Sequence, residues 1–261
     1  DYQLLRVLGN GSFGAVLEAQ GVRGMLRGRR VAIKMIAKRQ MASDALWKRV
    51  VNEVTIHLRL RHPAVLRLYD CFEDADHVYL VMELCTGGEL FGQLHRNGRR
   101  RRLTEARTRD IMRQLISGLM YLHAHGVLHR DLKLSNVLLT ADHRVKLGDF
   151  GLATLLRANR PDERRTLCGT PNYIAPEVLA HEPYGFESDI WSLGCILVAL
   201  LTGRGPFEGQ STAETLDNIR NCTYSLPGSM SVASRDLARR FLQKDPHRRI
   251  SLQKALLHPF F

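Results

Sequence analysis

The 261 residues are 44% hydrophobic and carry 38 Lys and Arg against 26 Asp and Glu, a net charge of +12 with a pI near 9.9. So long and apolar a chain should bury a large core divided over two lobes, and its cationic excess favours nucleic acid, anionic membrane, nucleotide phosphates or acidic protein segments as partners. Five cysteines, odd in number and never in a CxxC pair, argue against a disulfide framework or a zinc site, and no run of about eighteen apolar residues offers a membrane span.

In chain order, DYQLLRVLG lacks the apolar core of a signal peptide, so the expectation is a soluble intracellular domain cut from a longer chain. Residues 1–84 carry short strand-like segments, LLRVLG, AVLEAQ, RVAIKMIA and HVYLVMEL, with one helical stretch at 44–60. After Gly87-Gly88 the pattern turns helical. Thr104 and Gly126 bracket a helix with an apolar stripe at Ile111, Leu115, Ile116, Leu119 and Leu122. SDIWSLGCILVALLTG predicts a more fully buried helix, capped by Ser188 and stopped by Gly203, and two shorter helices close the chain. The expected fold is α+β: a small β-rich lobe at 1–84, a hinge at about 83–88 and a larger helical lobe over 85–261, forming one domain with a cleft between the lobes. Arginines cluster at 23–30, 99–102 and 157–165 in loop-like stretches, where solvated charge is the plain reading.

Within that frame, LGNGSFGAV places Gly9, Gly11 and Gly14 in GxGxxG spacing, a weak signal alone. A dinucleotide-binding unit would follow it with a helix; here a strand, a Gly/Arg loop and a second strand follow, as in a glycine-rich hairpin lying over phosphates or in a plain tight hairpin. Lys34 stands in an apolar strand and needs a partner. Glu53, among Val50, Val51, Val54 and Ile56 on the following helix, could supply it. VLHRDLKLSNVLL plants Asp131, Lys133 and Asn136 in an apolar run, and VKLGDFGLA adds Asp149. Two acids and an amide without a His or Cys cluster form an oxygen site suited to Mg²⁺, with Asn136 and Asp149 as ligands. Asp131 is then free to take the proton of an attacking hydroxyl, and Lys133 to steady charge on the transferring group.

GxGxxGxV, VAIK, a helical Glu, HRDxxxxN, DFG and APE at 175–177 follow one another in this order, and the sequence thereby resembles a eukaryotic protein kinase from Leu8 to Phe261. TLCGTPNYIAPE, the hinge VYLVMELCTGGE and KRVVNEVTIHLRLRHP are most similar to the polo-like kinases, especially their centriole-duplication branch. The resemblance implies ATP and Mg²⁺ as cofactors. It sets Lys34 on the α/β-phosphates with Glu53 as partner, Asp131 as base, Lys133 beside the γ-phosphate, and Asn136 and Asp149 on the metal. Val16 and Ala32 would sandwich adenine, Met82 would be the gatekeeper, and the Glu83 carbonyl and the Cys85 backbone N–H would meet the adenine edge. His57, Leu68, His129 and Phe150 would form a stacked spine. LKLSN and Thr170 imply Ser/Thr protein substrates. Ser135 and Ala199, where acids would select basic substrates, leave only Glu89, so acidic flanks are expected. Thr166 would be the activating phosphorylation site, clamped by Arg130 and Arg49 and modified by an upstream kinase or by self-phosphorylation. Glu177 with Arg249, and Asp189, are expected to be structural. A cytoplasmic and centrosomal location follows from the resemblance, with no membrane partner and nucleic acid disfavoured. The alternatives are another Ser/Thr branch or a catalytically weak scaffold.

Overall fold

A computed structural model of the chain describes residues 1–11, 14–41, 44–96, 98–156 and 168–261. The first lobe is built from β1 (Tyr2–Gly11), β2 (Gly14–Gly21), β3 (Arg30–Ala37), helix α1 (Asp44–His57), β4 (Leu68–Glu73) and β5 (His77–Glu83). The strands form one antiparallel sheet in the order β1-β2-β3-β5-β4. Alternation along the strands sorts its apolar residues by face. Ala19, Val31, Ile33 and Val81 form an outer cluster, while Ile36, Leu68, Leu80 and Met82 pack inward with Val50 of α1.

Beyond the hinge come β6 (Gly88–Glu89), α2 (Leu90–Leu94), β7 (His95–Arg96), β8 (Arg99–Arg100) and the long α3 (Glu105–Ala124). Short strands β9 (Val127–Leu128), β10 (Val137–Leu139), β11 (Val145–Leu147) and β12 (Thr154–Leu155) carry the loops of interest, and α4 (Pro176–Leu179), α5 (Glu187–Thr202), α6 (Thr212–Asn221), α7 (Val232–Phe241) and α8 (Leu252–Leu256) complete the lobe. The expected stripe of α3 is wholly buried, and Thr104 caps the helix by accepting from the Arg107 N–H. Helix α5 is buried from Ser188 to Leu201 and ends at Gly203 in the left-handed conformation. Its predicted cap is wrong, however. Phe186 occupies the N-cap position, and Ser188 lies inside the first turn, where its hydroxyl bonds back to the Gly185 carbonyl.

The lobes share more than the hinge. The Leu66 N–H donates to the Leu147 carbonyl at 2.8 Å, and the Leu147 N–H donates to Ala64 at 2.7 Å, so residues 64–66 are stitched to β11. Gly118 of α3 permits this approach, because a Cβ there would stand 2.8 Å from the Leu147 side chain and 3.3 Å from Ala64. Ile56, Leu60 and Val65 accordingly belong to the large core.

Candidate active site

Strand pairing builds the roof of the cleft. Val16 lies opposite Lys34, Lys34 opposite Leu80, and Ala32 opposite Met82. Since Ala32 and Lys34 are two apart, these residues share one face of the sheet. Gly11 pairs with Gly14 to close the β1–β2 hairpin, and a Cβ on Gly14, whose φ is 146°, would overlap the Met35 carbonyl. Among the described residues nothing crowds Gly9, so their packing does not demand glycine there. The Lys34 ammonium meets Glu53 at 3.1 Å, with 17% and 6% of the two side chains exposed. Burial pulls the Lys34 pKa down, but Glu53 and Asp149 outweigh it and keep the ammonium charged.

Below the roof, β9 and β10 present the loop between them. Val127, Leu128, Leu132, Leu134, Val137 and Leu139 turn into the core, which leaves the polar side chains to meet one another. Asp131 Oδ2 is 2.8 Å from Lys133 Nζ and accepts from Asn136 Nδ2 at 3.1 Å, while Oδ1 accepts from the Thr170 hydroxyl at 2.9 Å. Lys133 donates to that same hydroxyl at 2.8 Å. The amide of Asn136 also donates to the Asp131 carbonyl at 2.8 Å, so its NH₂ is occupied and its Oδ1 remains to face a cation. Asp189 fixes the loop backbone by accepting from the His129 and Arg130 N–H groups at 3.0 and 3.1 Å. Burial would raise its carboxyl, yet these bonds and His123 hold it below the usual range. Arg130 has φ 67°, a left-handed conformation costly for a non-glycine residue, and its Nε reaches the Leu152 carbonyl at 2.5 Å.

The third element enters from β11. Gly148 N–H donates to the Asn136 carbonyl at 2.9 Å, setting the segment that leaves β11 and carries Asp149 beside the loop. A Cβ on Gly151 would lie 3.3 Å from Asp149 Oδ1 and 3.4 Å from Glu53 Oε2, so both carboxylates border the same space as Lys34. Phe150 is buried, with ring centroids 4.6 Å from His57 and 5.3 Å from His129. Leu68, the fourth expected spine member, is buried in the inner cluster of the sheet.

His57 points Nε2 at the Leu66 carbonyl at 2.7 Å, which requires the proton on that nitrogen. Burial pushes its pKa down to about 4, supplying the neutral imidazole that the stack needs. The unfolded chain therefore takes up this proton first, and stability falls as pH drops from about 6.5 towards about 4. At pH 5 the loss should be about 2 kcal/mol. Urea midpoints at pH 7 and pH 5 should differ less in His57→Leu than in the native chain, and equal differences would acquit His57.

Sequence reading named Thr170 only as part of a substrate-type pattern, and it missed that this hydroxyl bridges Asp131 and Lys133. His123 meets Asp189 at 2.9 Å, and only three-dimensional packing reveals either partnership. Glu177 and Arg249 form the expected buried pair at 2.6 Å. Thr166 and its neighbours Arg164 and Arg165 lie outside the described residues, as does the Arg49 side chain. At the hinge, nothing among the described residues accepts the Cys85 N–H, leaving it available to an adenine edge. Burial, followed by Glu83, raises the Cys85 thiol to about 12, which keeps it protonated at neutral pH.

The protein kinase domain model matches residues 2–261. The chain belongs to the protein kinase family. Serine/threonine-protein kinase PLK4 of Drosophila virilis is 46% identical over 261 residues, all of this chain and 33% of the relative. The namesake proteins of Nematostella vectensis and Danio rerio are each 46% identical over the whole chain, which covers 26% and 27% of their lengths. This kinase chain thus spans a third or less of the relatives it matches. No helix among its described residues is long and apolar enough to cross a membrane.

Proposed function

We propose that the domain transfers the γ-phosphate of ATP to Ser and Thr hydroxyls of proteins. The observation that carries this reading is the closed network of Asp131, Lys133, Asn136 and Thr170 beneath the Lys34–Glu53 pair. Asp131, with Oδ2 held by the Lys133 ammonium and the Asn136 amide and Oδ1 accepting from Thr170, keeps a second lone pair on Oδ1 to orient a substrate hydroxyl and accept its proton as the new O–P bond forms and the bond to ADP breaks. Lys34 would hold the α/β-phosphates, Lys133 would sit beside the transferring group, and the glycines of the β1–β2 turn would cover the nucleotide. Asn136 Oδ1 and the Asp149 carboxylate are hard oxygen donors that fit magnesium, whose chemistry here is to neutralise phosphate charge. Ala32, Val16 and Met82 would enclose adenine, with the Glu83 carbonyl and the Cys85 N–H on its edge.

Substrates with acidic residues beside the target hydroxyl suit the surface around the cleft. A groove of about 620 Å³, lined by Gly87, Gly88, Glu89, Arg101 and Arg102, opens beside α2. Its two exposed guanidiniums outnumber Glu89, whose carboxyl burial pushes up against the pull of Lys133. The similarity to PLK4 proteins supports a part in centriole duplication and cell division, in the cytoplasm and at the centrosome. Phosphorylation of Thr166 would switch the domain on through Arg130, which already joins the catalytic loop to the Leu152 carbonyl.

Transfer from labelled ATP to a degenerate Ser/Thr peptide array tests these points together. The intact chain should favour acidic flanks, Thr166→Ala should lose most activity, and Asp131→Ala should be silent. Preferred basic flanks would overturn the specificity. An inactive native chain would leave a scaffold, and salt-dependent duplex binding without transfer would favour a nucleic-acid module.

A further inference from the structure

We infer that Glu83 and Lys146 form a strut across the hinge that positions the Glu83 carbonyl at the adenine edge of the cleft, so that both side chains are positioning residues for phosphoryl transfer. The inference rests on the ATP reading above and assigns roles to two side chains outside the catalytic network.

The strand pattern sends the Glu83 side chain away from adenine. Met82 lies opposite Ala32 on the cleft face, so Glu83, the next residue and opposite Val31, projects from the other face while its main chain stays at the rim. There its carboxylate Oε2 meets Lys146 Nζ at 2.8 Å, with 20% and 13% of the two side chains exposed. The same oxygen accepts from the Arg67 N–H at 3.3 Å, and the Glu83 N–H donates to the Arg67 carbonyl at 2.9 Å. The Glu83 backbone and side chain are therefore tied at both ends to the stretch leading into β4.

Lys146 is equally fixed. It sits in β11 between the buried Val145 and Leu147, paired with Leu138 of β10, and Leu147 is the residue bonded to Ala64 and Leu66. Three residues later comes Asp149. Lys146 also acts on the Cys85 thiol, pulling its pKa down against burial and Glu83, which sets the ammonium near both hinge residues. One partly dry ion pair thus links the adenine edge to the strand that delivers the magnesium ligand. Such a pair, with little water to screen it, resists deformation better than an exposed one.

Steady-state kinetics on the full chain with two nucleotides test the strut. Lys146→Met should raise KM for ATP about five- to tenfold with kcat within about twofold, and Lys146→Arg should restore the native value. Purine riboside triphosphate lacks the 6-amino group that the Glu83 carbonyl would accept from, so its KM should change less than about twofold. A general structural defect would move both nucleotides alike, and that result, an unchanged KM for ATP, or a gain in kcat alone would overturn the inference. If Lys146→Met does not fold, Glu83→Gln, which keeps an oxygen for the Arg67 N–H, interrogates the same pair against the same outcomes. Failure of the native chain to transfer phosphate would remove the ATP reading and this inference together, whereas native transfer with an indifferent Lys146 would remove only the strut.

Discussion

Replacing Asp131 by asparagine should lower kcat about a thousandfold while leaving KM for ATP nearly unchanged. The carboxylate makes one ion pair and accepts two side-chain hydrogen bonds, all from donors: Lys133, Asn136 and Thr170. An amide in its place loses the proton acceptor. It also turns an NH₂ toward one of these donors, so a substrate hydroxyl would be poorly aimed as well as poorly deprotonated. Lys34 and Glu53, which would hold the nucleotide, belong to β3 and α1 and take no part in this network. Steady-state kinetics over a range of ATP concentrations, with circular dichroism to confirm the fold, check the split. A drop of tenfold or less would mean that alignment alone drives transfer and that Asp131 is not the base.

The largest expected loss of stability lies far from the cleft. Arg249→Met should destabilise the chain by about 3–5 kcal/mol and lower the melting midpoint by about 10 °C. The guanidinium is fully buried, binds both Glu177 oxygens at 2.6 and 2.7 Å, donates to the carbonyls of Gln243 and Glu187 at 3.0 and 2.7 Å, and lies over the Trp191 ring. Its removal strands a carboxylate in the core. The Arg100–Glu208 pair is just as short, at 2.6 Å, yet 43% and 26% of its side chains are exposed, and water would replace most of what Arg100→Met removes. That change should cost under about 1 kcal/mol. The double change Glu177→Leu with Arg249→Met should be milder than Arg249→Met alone, because no charge is left unpaired. Differential scanning calorimetry of the four chains decides this, and equal losses from the buried and surface changes would refute it.

Much of the fold was legible because period and punctuation agreed. RVAIKMIA is a short apolar run of strand length broken only by Lys34, and Thr104 and Gly126 bound an unbroken helical stripe. Strand β4 escaped notice because LYDCFE mixes Asp70 and Glu73 into a half-exposed edge, where apolar alternation is weak. Helix α6 is short and polar, yet Ser211 and Glu214 spell a capping box that could have announced it: Ser211 accepts from the Glu214 N–H, and Glu214 reaches back to the Gln210 N–H. Ser188 misled for the opposite reason, since a good capping residue two positions too deep cannot cap. In the site, the acids, the amide and Lys34 announced themselves as charges in apolar runs. Thr170 did not, because a hydroxyl in a polar stretch has no conspicuous local cost, and Lys146, though set between the buried Val145 and Leu147, stands on the alternate face of a short strand, where a charge is ordinary; only a distant partner gives either its meaning.

The bonds that lace Ala64 and Leu66 onto Leu147 carry a consequence for fragments of the molecule. A protease cutting between Glu83 and Gly88 would sever the polypeptide without parting the particle, since the first piece would still lend Ile56, Leu60 and Val65 to the interior of the second. The two pieces should co-elute after nicking, and neither should fold when produced by itself.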